Sequence, residues 1–394
     1  MGFLFSSQKK ERTIAIFDIG SGSVGGAMVK IPIDGSGVPV ILKSVNNNEI
    51  KFRKDFDFNS MLKDMTSALY LTANSLFDKK AGAPDEIFCV LASPWYLSET
   101  IVIKMAREKS FIFNKRLAND LIQKEILNLT EIFKNKYSDE EGSPEIIEQN
   151  TMAVSLNGYT MIDPLGKKCN SLRMDMLISL APKLCLNKIR DTLSKIFNHT
   201  KISFSSFTMA SFLAVRDKYV KEDSYLLIDI SGEITDVGIV SKGILKSVLS
   251  FPYGKKTFYN QICSKMNIEL RDAKELFNLY KEGNLSSDFN KKVTPIFESI
   301  EKSWNESFHL CINTLPKTIV LSKTIFLTAD NDIKDWFADV LRKEANPQST
   351  VSDYKSNVIT LDGPEFLNMC NIKEGLCDPF IMIEAIAIMR KIGK

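Results

Sequence analysis

At 394 residues, with 44% hydrophobic and 25% charged residues, the chain has the make-up of a soluble globular protein with room for two lobes, which excludes a disordered chain. A net charge of +3 is too small over this length to mark a nucleic-acid binder, and no run approaches the roughly 20 apolar residues of a membrane span. Seven cysteines scattered from 89 to 377 without a CxxC pair imply reduced thiols in a cytoplasm, and His199 and His309 are too few for a zinc site or a histidine triad.

Residues 1–10, an apolar patch followed by lysines, are too short for a secretory signal and read as a disordered start or as weak contact with a membrane surface. Residues 13–29 form the first informative stretch. The apolar run Ile14-Ala15-Ile16-Phe17 ends in Asp18, passes through Gly20-Ser21-Gly22-Ser23, and turns apolar again at Val24. This predicts two antiparallel strands joined by a tight turn. Glycines there permit positive φ and leave backbone N–H groups open to a ligand's oxygens.

A third strand is predicted at 38–52, then an amphipathic helix at 58–77 with Met61, Leu62, Met65, Leu69 and Leu76 at helical spacing. A short buried strand follows at 87–92. Residues 98–105 alternate as a strand, and 114–136 predict a helix capped by Asn114. Asp139-Glu140-Glu141 reads as a solvated loop, and 146–156 and 172–181 as strands. Helix 186–197, strand 201–204 and helix 206–219 lead to the second informative stretch.

That stretch, Tyr225 to Val240, repeats the first: Asp229 falls on Asp18 at an offset of 229 − 18 = 211 residues, and the flanking apolar runs coincide. Two such units, one per half, predict two related lobes whose turns face a shared cleft. An acid at the end of each first strand, Asp18 and Asp229, would let the lobes hold one magnesium–phosphate group between them. Beyond it come a hairpin at 243–249, a mostly helical stretch at 262–307, a strand at 318–328 and a helix at 335–344. Asp378-Pro379-Phe380 opens a last helix with Ile383, Ala387 and Ile388 on its apolar face. Lys255-Lys256 and Lys291-Lys292 read as exposed charge, and Trp95, Trp304 and Trp336 as core or interface anchors.

At the two acid-tipped turns the chain resembles the actin-like ATPase superfamily, and within it the bacterial FtsA/PilM branch. The preference for that branch rests on the strand–helix–strand–strand block after residue 98 and on Leu156-Asn157-Gly158-Tyr159 with Asp163-Pro164-Leu165-Gly166-Lys167. The resemblance implies an α/β, two-lobed actin-like (ribonuclease H-like) fold with a small inserted α+β subdomain. Its parts would be a first lobe from 11–85 and 182–222, an insertion from 86–181, a second lobe from 223–260 and 315–394, and a helical subdomain at 261–314.

The same resemblance implies an ATP and magnesium site that is partly degenerate. Asp18 would orient magnesium through water, and Gly20, Ser21, Gly22 and Ser23 would offer donors to phosphate oxygens. In the second loop Asp229, Ser231, Gly232 and Thr235 would take part, but the family's Asp-x-Gly-Gly-Gly-Thr reads Asp229-Ile230-Ser231-Gly232-Glu233-Ile234 here: Glu233 places a carboxylate where phosphate would approach, and Thr235 serves equally as ligand or strand opener. The glycines of the family's adenosine phrase are replaced at Thr328, Ala329 and Asp330, and the ribose-gripping helix falls near Lys274 and Phe277, neither with the right chemistry. Ala210-Ser211 stand near the position that would orient the attacking water. The implied function is a cytoplasmic scaffold organising a membrane-associated assembly, either type IV pilus or cell division. It would work through protein partners and self-association, with at most peripheral contact at the inner face of the membrane, and weak or lost ATPase activity. A chain ending after the last helix favours the pilus side, and the Asn157-Gly158-Tyr159 block the division side. The alternative is an ATP-dependent sugar or acetate kinase of the same superfamily.

Overall fold

The computed structural model describes residues 11–33, 37–51, 57–136, 143–198, 200–316, 319–343 and 356–393. The apolar and basic start at 1–10, the acidic loop at 139–141 and His199 lie outside the described residues. Strands β1 (Glu11–Ile19), β2 (Ser23–Pro32) and β3 (Val40–Glu49) form an antiparallel meander, and α1 (Phe58–Asp78) crosses to β4 (Glu86–Leu91), which runs parallel to β1. The chain then leaves this sheet for β5 (Leu97–Ile112), α2 (Lys115–Lys136), β6 (Pro144–Leu156), β7 (Tyr159–Thr160) and β8 (Lys168–Pro182). It returns through α3 (Lys183–Phe197), β9 (Ile202–Ser206) and α4 (Phe207–Lys218). The second half repeats the plan with β10 (Tyr225–Ile230), β11 (Thr235–Ser241) and β12 (Ile244–Phe251). Then come α5 (Lys255–Met266), α6 (Leu270–Lys281), α7 (Ser287–Ile312), β13 (Thr324–Ala329), α8 (Lys334–Lys343) and β14 (Asn357–Thr360). A 3-10 turn at Gly363–Phe366, β15 (Asn371–Ile372) and α9 (Pro379–Ile392) complete it.

The sheet orders β15-β3-β2-β1-β4-β9 and β12-β11-β10-β13-β14 show the internal repeat directly. In each, a meander is followed by two strands parallel to its first. Strand β1 is buried on both faces: Ile14 and Ile16 enter the core between the sheets, while Ala15, Phe17 and Ile19 enter the core outside the first sheet. That is why it reads as an unbroken apolar run. Between the sheets lie α4 and α9. Residues Phe207–Val215 of α4 and Ile381–Ile388 of α9 are buried without interruption, because both helices meet apolar surface on every side there. Helices α1 and α3 cover the outside of the first sheet, and α5 to α8 cover the outside of the second in one continuous core.

Two domain boundaries differ from the sequence reading. Residues 86–91 belong to the first sheet as β4 rather than to the insertion, which begins with β5. The C-terminal stretch belongs with the first sheet, not the second lobe: β15 pairs with β3, and α9 packs on α4, β1 and β2. Both are parallel or long-range pairings, to which local periodicity is blind. The insertion folds as a sheet of order β5-β8-β6-β7 with α2 on one face. Its near end is tied down by Glu148, which accepts from Ser205 Oγ at 2.9 Å, Ser206 Oγ at 2.6 Å and Lys391 Nζ at 2.5 Å. Lys246 on β12 reaches Asp175 on β8 at 2.9 Å. The seven cysteines form no disulfide: four are buried, Cys263 and Cys311 are half-buried, and Cys377 is exposed. Among the described residues no helix is long and apolar enough to cross a membrane.

Candidate functional site

The two repeated turns meet. Asp18 stands opposite Gly25 across the first hairpin, and Asp229 opposite Asp236 across the second, at the same register position. Each turn closes on itself, with Gly20 N donating to Ser23 O and Ser231 N to Ile234 O, both at 3.0 Å. They also close on each other. Glu233 N donates to Ser21 Oγ at 2.9 Å, and Ser21 Oγ and Ser231 Oγ stand 3.3 Å apart. A Cβ on Gly232 would fall 2.4 Å from Gly22 N and 2.6 Å from Gly22 Cα, so glycine here is required by close backbone approach.

Trp95, fully buried, supports the first turn through Nε1, which donates to Gly20 O at 2.7 Å. Trp95→Phe is expected to cost about 2–3 kcal/mol, from the lost indole volume and an unpaired buried carbonyl. Denaturant unfolding checks this, and a loss below about 1 kcal/mol would show that the carbonyl finds water instead.

What remains between the turns is a cavity of ≈ 30 Å³ lined by Asp18, Gly20 to Ser23, Asp229 to Gly232 and Asp330, with Asn47, Ala92, Phe207 and Phe380. Such a volume suits about one or two waters, not a triphosphate. Several donors at the turns are already bonded within the protein: those of Gly20, Ser231 and Glu233 as above, and the first N–H groups of α5, where Lys255 N bonds Ser231 O and Lys256 N bonds Gly232 O.

The charge around this cavity is acidic and deeply buried. Burial pushes the Asp18 carboxyl well above the usual range, and the nearby charges of Asp378 and Asp229 add to it. Asp229 is pushed up to about 8 by burial, although Thr328 Oγ1 donates to it at 2.7 Å. Glu384 on α9 has no exposed surface, and burial with the charges of Asp18 and Asp378 raises it in turn. Both carboxyl oxygens of Glu384 are buried with no hydrogen-bond partner among the described residues, which favours its neutral form beside the other acids.

The basic partners lie one layer out. Lys256 Nζ pairs with Glu233 Oε1 at 2.9 Å, so the intruding carboxylate of the second loop is neutralised by the protein itself. Lys255 Nζ bridges Asp330 at 2.8 Å and Asp332 at 2.9 Å; burial opposes its charge, and the two aspartates outweigh that. The sequence reading of these lysines as exposed charge is overturned, since helix α5 starts against the second turn and carries both into the cleft wall. They line, with Gly22, Gly232, Tyr259 and Lys274, a second cavity of ≈ 310 Å³ at the cleft mouth.

The structure therefore brings together Asp18, Gly20, Ser21, Gly22, Ser23, Asp229, Ser231, Gly232 and Asp330. Thr235 is not with them: its hydroxyl donates to Tyr253 O at 2.5 Å, a strand-opening contact. Thr328 acts behind the site through Asp229, and Ala329 is packed in the outer core of the second lobe. Lys274 lines only the cleft-mouth cavity, where it meets Glu49 at 3.4 Å, and Phe277 is core. Ser211 Oγ, which the sequence reading puts near an attacking water, is buried with no hydrogen-bond partner among the described residues. Sequence reading missed Lys255, Lys256, Asp378 and Glu384. The last left a trace: one acid in the apolar run Phe380-Ile381-Met382-Ile383-Glu384-Ala385-Ile386. A groove of ≈ 1030 Å³ between α6, α7 and α8 shares no residue with either turn.

No family model matches the chain, and no curated protein matches it in sequence. Among solved structures it is similar to one described as a PilM-PilN type IV pilus biogenesis complex, at 10% identity and a TM-score of 0.62, covering 97% of this chain and 98% of that one. It is also similar to a protein of actin-like ATPase fold and unknown function from Bacteroides thetaiotaomicron, at 10% identity, TM-score 0.38, covering 93% and 97%. A third is the ethanolamine utilization protein EutJ from Carboxydothermus hydrogenoformans, at 8% identity, TM-score 0.40, covering 97% and 90%. These last two superpose too loosely to build on. The first shows that the fold is shared over nearly the whole of both chains.

Proposed function

We propose that this protein is an actin-like scaffold of the PilM type, working through protein–protein contacts in a membrane-associated assembly at the inner face of the membrane, with its cleft closed by its own two turns. The observation that carries the second half is the seating of Gly232 on Gly22, which leaves ≈ 30 Å³ between the acids. The likeness in fold to a chain solved as part of a PilM-PilN complex supports the first half. In this closed arrangement the residues do not fit ATP with magnesium. The ≈ 30 Å³ between the acids does not hold a triphosphate, Glu233 and Lys256 satisfy each other, and burial favours the neutral form of Asp18 over a cation's carboxylate ligand. The scaffold would thus hold its closed form without nucleotide, as a fixed platform for a partner.

Titration calorimetry with ATP and magnesium tests the closed cleft. The expected result is a dissociation constant weaker than about 1 mM, the same for the wild type and for Asp18→Ala. Micromolar binding abolished by that substitution would overturn the closed-cleft reading. The scaffold reading is tested separately, by co-purification of the chain with a short cytoplasmic segment of a membrane-anchored assembly protein. Strong phosphoryl transfer to a small sugar or to acetate would replace it with a kinase.

A further inference from the structure

The four-stranded sheet of the insertion has two ends. At one, Leu97 faces Leu180 and Pro144 faces Pro182, where the strands join the first lobe. At the other, three loops are bound into one surface. Phe113 N donates to Lys167 O at 2.9 Å and Gly166 N to Phe113 O at 2.7 Å. Asn170 Nδ2 donates to Glu108 O at 3.0 Å, and Asn157 Oδ1 accepts from Asn170 N and Ser171 N at 2.8 and 3.1 Å. Asn157 and Gly158 both have positive φ, the tight hairpin turn that projects β7 from this end.

The surface so built is apolar at its tip and basic around it. Ile162 is 106% exposed, Tyr159 77% and Ile112 56%, with Leu165 beside them. Single exposed apolar residues are ordinary, but four on one sheet end are not. Residues 107–116 and 157–170 carry Arg107, Lys109, Lys115, Arg116, Lys167 and Lys168, against only Glu108 and Asp163. All six cations are exposed, and none is in an ion pair among the described residues. A chain of net charge +3 thus concentrates positive charge outside any ion pair where, among the described residues, its most exposed large apolar side chain stands.

We propose that this far end of the insertion is a contact surface for the anionic headgroup layer of a lipid bilayer. Cations within a Debye length of anionic lipid are attracted cooperatively, and an apolar side chain among them gains by entering the acyl boundary. A protruding side chain buries its area only in a partner that deforms around it, as a bilayer interface does. Nucleic acid fits less well, because a strand needs a series of aromatic faces and Tyr159 alone is strongly exposed there. The proposal deepens the membrane-associated reading by naming a contact made by this chain itself. Its test uses protein-free vesicles, so its failure leaves the partner-based scaffold standing.

The full chain is sedimented with phosphatidylcholine vesicles, with and without about one third phosphatidylglycerol. Binding is expected only to the anionic vesicles and is expected to weaken as salt rises. Lys167→Glu/Lys168→Glu is expected to weaken it at least tenfold, and Ile162→Asp several-fold, with thermal midpoints unchanged because these side chains are exposed. No binding to anionic vesicles overturns the proposal. So does binding that survives both variants, which would place the contact elsewhere in the chain. Loss in the lysine variant with full retention in Ile162→Asp also overturns the bilayer as occupant, leaving capture of an acidic partner by charge alone.

Discussion

Gly232→Ala is expected to cost about 3 kcal/mol, at the upper end of overpacking effects, and to part the two lobes at their turns. The added methyl would meet Gly22 N at 2.4 Å, Gly22 Cα at 2.6 Å and Ser21 C at 2.7 Å. All three are backbone atoms, so no side chain can swing away to make room. The hydrogen bond from Glu233 N to Ser21 Oγ would stretch with them. Gly22→Ala is the control. Its methyl would stand 3.2 Å from Gly232 Cα, a contact that a shift of a few tenths of an ångström relieves, so its cost is expected to be below about 1 kcal/mol. Denaturant unfolding of both variants decides the matter. Equal, small losses would mean that the turns stand apart in solution, and the closed cleft would fall with them.

The second large effect is on pH. The buried acids Asp18, Asp229 and Glu384 and the half-buried Asp378 are all held above their ordinary range, chiefly by loss of solvent. A group raised in this way carries a proton in the folded chain where the unfolded chain has released it. The folded state then binds more protons, so stability is highest below the ordinary carboxylate range and is lost as pH rises. For Asp229 that window runs from 3.8 to about 8. One such group contributes a slope of up to about 1.4 kcal/mol per pH unit within its window. The unfolding free energy of the wild type is therefore expected to fall between pH 5 and pH 8. Asp229→Asn, which cannot ionise, should flatten that fall and exceed the wild type at pH 8 by about 1 kcal/mol or more. Parallel curves for the two proteins would show that Asp229 is ionised throughout and that its surroundings are wetter than the closed turns imply.

These predictions turn on features of unequal visibility in the sequence. The paired turns were visible, because an apolar strand ending in an acid before glycines has few other uses, and its return 211 residues later marks a repeat. The insertion was visible for a similar reason: alternation in β5 and β8 and the Asn157-Gly158 turn are local. Helix α9 illustrates the opposite case. Its start at Asp378 could be read, since Asp378 caps Phe380 N at 2.9 Å, but its place between the sheets could not.

The sequence by itself determined the elements, their repetition and the acids that tip the two hairpins, because periodicity and turn chemistry act over a few residues. Only the tertiary structure decided that β4 and β15 join the first sheet, that Lys256 answers Glu233, and that Glu384 is buried near Asp18. Those outcomes depend on contacts across hundreds of residues and on how little water is left between them. Burial, and not residue type alone, sets whether a carboxylate there favours its charged or its neutral form.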